Sequence, residues 1–307
     1  YMFSPKELAP TEDQGVIFGI INAPANATAD YKALYGKAAE AAFLSTPEVD
    51  LTFQIMPPPS AGAGLGADGF SGMVVKPWQA PRERTTTEIL PEVQAKLAAI
   101  PGIQMFATTP SALPGGSNFP VEFVIASTAD SERLLEFAQK ISMRAMESGI
   151  FYFPPQIDLK YDQPQAEVVI DREKVATLGL NLTQVGADLA SALGGNYVNR
   201  FNIAGRSYKV IPQIERIDRL NPEQLENIYI NGPSGELVPL SAVASIQNKT
   251  VPRSLNRFQQ LNAVKLSGMT NRTLDQALKV LEEAAKEILP PGYSIDYTGE
   301  SRQLRHE

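Results

Sequence analysis

Apolar residues along this chain change their spacing at regular intervals, and the changes mark its elements. Apolar runs at 14–23 (QGVIFGIINA), 49–56 (VDLTFQIM), 70–78 (FSGMVVKPW) and 103–109 (IQMFATT) predict strands. Between them, helical spacing covers 28–44 and 85–100. The first helix has Thr28 as its cap and is expected to turn Tyr31, Leu34, Tyr35, Ala38 and Ala42 inward, and the second Ile89, Val93 and Leu97. Pro91 sits near the start of the second, where a missing N–H costs least. The order is βαββαβ.

After 113–120 (LPGGSNFP) the same order begins again, with a strand at 121–127, a helix at 130–148 carrying Leu134, Phe137, Ala138 and Ile141, and a strand at 165–171. The second central strand arrives only at 262–268 (NAVKLSG), followed by a helix at 273–289 and a strand at 293–299. About ninety residues are therefore inserted in the second unit, roughly 172–261. The insert carries a short helix at 182–195, with Val185, Leu189 and Leu193 on one face and a stop at Gly194–Gly195. Strands are expected at 197–204 and 207–214, hinged at Gly205, and at 225–230 and 237–246 around the turn residues of 231–236 (NGPSGE). The fold class is thus α+β: two ferredoxin-like βαββαβ sandwiches, the second interrupted by a small mixed α/β subdomain.

Composition narrows the chemistry. There are 307 residues, enough for two or three cores, with 34 acidic against 27 basic side chains and no basic block, so nucleic acid is not an expected partner. No cysteine is present and His306 is the only histidine, which removes thiol nucleophiles, thiolate sites, imidazole bases and multi-histidine metal sites. Glu12 and Asp13 read as a solvated turn, and Asp171 as the cap of the turn into REKVATLG. No serine lies in a strained strand-to-helix elbow. The chain is read as no enzyme, with no cofactor and no metal. No apolar run approaches the roughly 18 residues of a membrane span.

Residues 64–69 (GLGADG) match the G-x-G-x-x-G pattern of dinucleotide-binding turns, but that cradle needs a helix opening out of it, and here another strand follows. A glycine loop between two strands is the reading adopted. Large apolar and polarisable residues gather near it in sequence: Met56, Phe70, Met73, Trp78, Met105 and Phe106. Thioethers and aromatics suit adaptable contact with varied apolar ligands. Core packing is the competing reading for Met73 and Met105, which lie inside strand patterns.

The strings ELAPTEDQGVIFGIINAPANAT, DREKVATLGLNLTQVGADLASALGGNYVNRF and GELVPLSAVASI, in this order and spacing with the duplicated unit and its insertion, resemble the second large periplasmic loop of resistance-nodulation-division multidrug efflux transporters. The resemblance covers essentially the whole chain. It implies a proton-driven exporter of amphiphilic small molecules, a homotrimer in the inner membrane of a Gram-negative bacterium with this portion in the periplasm. The implied partners are a periplasmic adaptor and a TolC-type outer-membrane channel. Residues 1–117 would form one porter subdomain, 118–172 with 262–307 a second, and 173–261 the docking subdomain. Substrate would enter between the porter subdomains, past a switch loop carrying Gly62, Gly64, Gly66 and Gly69, and touch Met56, Pro58, Leu65, Phe70, Met73, Met105 and Phe106. Asn231, Gly232, Pro233, Ser234 and Gly235 would form the docking tip. Two departures change the expected profile. The family's well-known pumps carry phenylalanines on and just after the switch loop, where this chain has Pro57, Pro58, Pro59, Ala61, Ala63 and Leu65. Their cleft arginine is replaced at about its place by Gln156, with Lys160 nearby and Lys265 on the facing strand. A soluble two-module binding protein is the alternative from another class.

Overall fold

A computed structural model describes residues 8, 12–56, 68–78, 82–111 and 117–306. The first sheet is antiparallel and ordered β2-β3-β1-β4, from β1 (Val16–Asn22), β2 (Val49–Ile55), β3 (Gly69–Val75) and β4 (Gln104–Thr108). Register fixes which side chains share a face. Ile17 lies opposite Met73 and Ile21 opposite Met105, and these turn toward helices α1 (Ala29–Leu44) and α2 (Thr86–Ala98) to form a core with Phe43, Ile89, Val93 and Leu97.

The caps explain where these helices start. The Thr28 hydroxyl accepts from the Tyr31 N–H at 3.2 Å, and Thr85 and Glu88 form a reciprocal capping box. The inward face of α1 differs from the expected one. Lys32, Gly36, Ala39 and Phe43 are buried, Tyr31 and Tyr35 are half-buried, and Leu34 is 64% exposed. The cause is close approach. Gly36 lies under Gln54, whose amide donates to the Gly36 carbonyl, so the helix packs on its smallest residue and rotates Leu34 outward.

The chain continues through β5 (Val121–Ser127), buried along its whole length, and α3 (Ser131–Glu147), which buries Leu134, Ala138 and Ile141. Phe137 is only half-buried and meets the Tyr293 ring edge-on at 5.0 Å. A two-residue strand, β6 (Gln156–Ile157), follows, which apolar periodicity does not reveal. Strand β7 (Tyr161–Ile170) then leads into a separate compact unit, Pro164–Val251.

That unit has its own small core of Val175, Leu180, Val185, Ile230, Leu240 and Val243. Asp171 caps α4 (Arg172–Thr177), its carboxylate accepting from the N–H groups of Glu173 and Lys174 at 3.1 Å each, and Asn181 caps α5 (Leu182–Ala192) in the same way. Strands β8 (Asn199–Ile203) and β9 (Arg206–Val210) pair around Ala204 and Gly205, whose positive φ of 49° and 77° is what a tight hairpin turn requires. The strand expected at 225–230 forms only from Tyr229: Pro222–Asn227 is a 3-10 turn, with Pro222 at its first position and the Asn221 N–H donating to the Gln224 side chain at 3.0 Å. Strand β10 (Tyr229–Asn231) then pairs with β11 (Leu237–Pro239). Strand β12 (Ala244–Pro252) pairs with β7, so the unit begins and ends earlier in the chain than the expected insert 173–261.

Back in the first unit, β13 (Asn256–Phe258) and β14 (Leu261–Gly268) form a hairpin, α6 (Leu274–Ile288) and β15 (Tyr293–Tyr297) follow, and α7 (Gly299–His306) ends the described chain. The second sheet is ordered β13-β14-β5-β15, with β6 also pairing to β14. Phe123, Ile125, Val264 and Leu266 on one face pack against Leu134 and Ile141 of α3 and Leu278 and Leu281 of α6. No helix of the described residues is long and apolar enough to cross a membrane.

Candidate functional site

The face of the first sheet turned away from its helices is unusually apolar. Ile55, Phe70, Ile20 and Phe106 stand in one row across all four strands, since Ile55 pairs with Phe70, Phe70 with Ile20, and Ile20 with Phe106. In the adjoining row Phe53 and Phe18 meet edge-on at 5.6 Å over Gly72. Ile20, Phe70 and Phe106 join Phe119, Phe153 and Met269 in an aromatic seam that ties this sheet to the second βα layer. The Phe106 and Phe153 centroids are 4.7 Å apart and those of Phe119 and Phe153 5.8 Å. Ring contacts of this kind contribute about 0.5–1.5 kcal/mol beyond burial.

Beside the seam opens a cavity of about 960 Å³. One wall is α2 and β4, with Gln94, Ala95, Ala98, Met105 and Phe106. The other is α3 and the stretch 152–162, including Gln139, Tyr152, Phe153, Gln156, Lys160 and Asp162. Ala95 and Ala98 are exposed on the outer side of α2, so small side chains leave the space open. Volume and lining match the usual small-molecule site: mostly apolar, with a few placed polar groups.

Asp162, on the cavity wall, belongs to an ion cluster. Arg253 grips both Asp162 carboxylate oxygens, Nε to Oδ1 at 2.6 Å and Nη2 to Oδ2 at 2.7 Å. It also donates to the Ala23 carbonyl at 3.0 Å and reaches Asp68 at 3.4 Å. Asp68 accepts from the Ala23 N–H at 2.8 Å and lies 3.5 Å from the Lys32 ammonium. The Arg253 hydrogen bonds hold the Asp162 carboxyl below its usual range, outweighing the opposing effect of burial. Lys160, on the cavity wall, is pushed below the usual lysine range by burial first and by Arg253 second, with Asp68 and Asp162 opposing.

Of the residues singled out from sequence, the structure gathers Met105, Phe106, Gln156 and Lys160 at this cavity, with Phe70 in the adjoining seam. Gln156 donates to the Pro154 carbonyl at 2.8 Å. Met73 is a correction: it is fully buried on the helix-covered face, because register puts it opposite Ile17, and it is a core residue. Met105 is 2% exposed and serves mainly the same core. Met56 packs on the first core over Gly36 and Gly69, away from the cavity. Lys265 stands on the second sheet, its ammonium 2.7 Å from the Glu122 carboxylate, which Thr298 also contacts at 2.7 Å. Its backbone N–H donates to Asp158 at 2.8 Å, and burial pushes the Asp158 carboxyl up despite that bond. Trp78 is half exposed, with the Arg82 guanidinium stacked 4.1 Å from its ring centroid. Pro58, Gly62, Gly64, Leu65 and Gly66 lie outside the described residues, while Gly69 opens β3.

At 231–235 the Gly232 N–H donates to the Glu236 carbonyl at 2.7 Å, Gly235 alone takes positive φ, at 87°, and the Asn231 N–H is held by Asp188 at 2.8 Å. Pro233 and Ser234 form the turn itself, the Ser234 N–H donating to the Glu236 carboxylate at 3.0 Å. Sequence reasoning missed Phe153, Gln94, Gln139 and Arg253. The aromatic run Phe151-Tyr152-Phe153 before Pro154 was the available signal for the first.

Comparison with known proteins agrees with this architecture. Residues 1–307 match the AcrB/AcrD/AcrF family. An uncharacterized transporter of Haemophilus influenzae is 34% identical over 304 residues, covering 98% of this chain and 29% of that protein. The toluene efflux pump membrane transporter TtgB of Pseudomonas putida is 28% identical over 97% of this chain and 29% of its own length. The multidrug export protein AcrF of Escherichia coli is 25% identical over 98% of this chain and 30% of its own. Among solved structures, a heavy metal efflux pump superposes with a TM-score of 0.81 at 18% identity over 96% of this chain and 32% of that one, a likeness of fold. The chain thus spans under a third of the length of these relatives, and it belongs to the AcrB/AcrD/AcrF family of resistance-nodulation-division efflux transporters.

Proposed function

We propose that this chain is the periplasmic porter and docking portion of a proton-driven efflux pump, and that the 960 Å³ cavity receives amphiphilic substrates. The observation that carries the reading is the cavity itself: its walls come from two βα layers that meet along an aromatic seam beside a small-residue helix face. The order β2-β3-β1-β4 of the first sheet supports reading it as a ferredoxin-like sandwich, and the five-stranded second sheet is read as its interrupted copy. They are assigned as the porter subdomains, 1–117 and, with the expected bounds 118–172 and 262–307 moved to those of the compact unit, 118–163 with 252–307. The unit Pro164–Val251 is assigned to docking against an adaptor and an outer-membrane channel, with the 231–235 turn as its tip. The glycine stretch ending at Gly69 is assigned as the switch loop, because glycine opens backbone angles closed to other residues. Proton coupling belongs to parts of the transporter beyond these residues.

The test fills the cavity without disturbing either core. In the full-length transporter, expressed in a host lacking other pumps, Ala95→Trp with Ala98→Trp should sensitise cells to amphiphiles at unchanged membrane abundance. Parental resistance in the double variant would refute the cavity as a substrate site.

A further inference from the structure

The charges around the cavity do not balance. Its wall contains two ionisable side chains of acid or base type besides tyrosines, Lys160 and Asp162. Asp162 is already taken: both of its oxygens bind Arg253. Asp68, the other carboxylate acting on Lys160, is shared between Lys32 and Arg253. The cluster therefore sets the cations Lys32, Lys160 and Arg253 against the carboxylates Asp68 and Asp162, an excess of one positive charge. Among the described residues no carboxylate lies within 4 Å of the Lys160 ammonium, and that ammonium is the partly desolvated member.

A desolvated cation on a wall whose one carboxylate, Asp162, is already bound by Arg253 has a large unmet electrostatic demand, because low surrounding polarity strengthens any ion pair it can form. Of the other polar wall groups, the Gln94 and Gln156 amides already donate to the Met105 and Pro154 carbonyls at 3.2 and 2.8 Å, and the body of the cavity is apolar. A cationic head placed there would meet Lys160, and the wall carboxylate that could receive it, Asp162, is held by Arg253. We infer that the cavity prefers amphiphiles with an anionic head, a carboxylate or sulfate, over those with a cationic head, and that Lys160 is the residue that sets this preference. The inference rests on the cavity being the substrate site, and it adds the substrate's charge.

The experiment uses the full-length transporter in a pump-deficient host with a permeabilised outer membrane. Three probes share a twelve-carbon tail and differ in head group: dodecyl sulfate, dodecyl maltoside and dodecyltrimethylammonium. Export is read as protection from growth inhibition, with each variant's membrane abundance measured. Lys160→Gln should lower the ratio of sulfate to trimethylammonium protection by about tenfold, the loss expected for one charge-assisted contact. Lys160→Arg should restore most of the ratio, and Lys160→Glu should drive it further toward the cation. An unchanged ratio in both Lys160→Gln and Lys160→Glu overturns the inference, as does equal loss of all three probes, which would mark Lys160 as structural. The Ala95→Trp, Ala98→Trp variant separates the two failures. If it blocks all probes while the Lys160 ratio stays fixed, the charge preference alone is wrong. If it blocks none, the cavity assignment is wrong as well.

Discussion

Replacing Arg253 by methionine keeps most of the side chain's length and removes its charge, so it tests the ion cluster with little change in packing. The side chain is 20% exposed, against 47% for Asp162 and 25% for Asp68. A fully buried pair broken on one side costs about 3–5 kcal/mol, and an exposed one about 0–1. Half-exposure of Asp162 places this variant between them, at about 1–3 kcal/mol, read as a lowered urea midpoint by circular dichroism at pH 7. The pH dependence supplies the sharper check. Because Arg253 holds the folded Asp162 carboxyl below its unfolded value, the unfolded state binds more protons as pH falls through the unfolded range, near about 4. The contribution of the pair is therefore complete above about pH 4 and disappears as pH drops through the folded value. The gap between parent and Arg253→Met should shrink from pH 7 toward pH 3, and Arg253→Lys should keep a part of it. A gap of equal size at both pH values would refute the electrostatic account and leave only lost packing.

Much of this fold was legible because its elements announce themselves locally. Thr28 and Asp171 are caps whose side chains have nearby donors, and Ile89, Val93 and Leu97 stand at helical spacing on one buried face. The face of α1 was misread because Leu34 and Phe43 compete as anchors, and the decision lies with Gln54, which reaches Gly36 from another strand. No local rule contains that contact. Strand β6 escaped because two residues after a Pro-Pro pair carry no period. The site was legible only in part for the same reason. Gln156 and Lys160 came from family resemblance, whereas Arg253 meets Asp162 and Asp68 across 91 and 185 residues of sequence. Met73 shows the converse: its chemistry suits a ligand site, but register alone decides its face.

Two further predictions bear on the aromatic seam and on the apolar face of the first sheet. Phe153→Ala removes the ring at the centre of the seam, 5% exposed and touching both Phe106 and Phe119, and should destabilise the first unit by about 3–5 kcal/mol in chemical denaturation. A loss under about 1 kcal/mol would mean that the two layers do not depend on the seam. Gly72→Ala should cost about 1–3 kcal/mol although a methyl group is usually favourable in a strand, because the added carbon would stand 2.8 Å from the Ile17 carbonyl oxygen and collide with the Phe53 ring. Phe53 can swing away and the carbonyl cannot, so Phe53→Ala should rescue only part of the loss, and full rescue or no initial loss would show that the paired strands yield where the register holds them fixed.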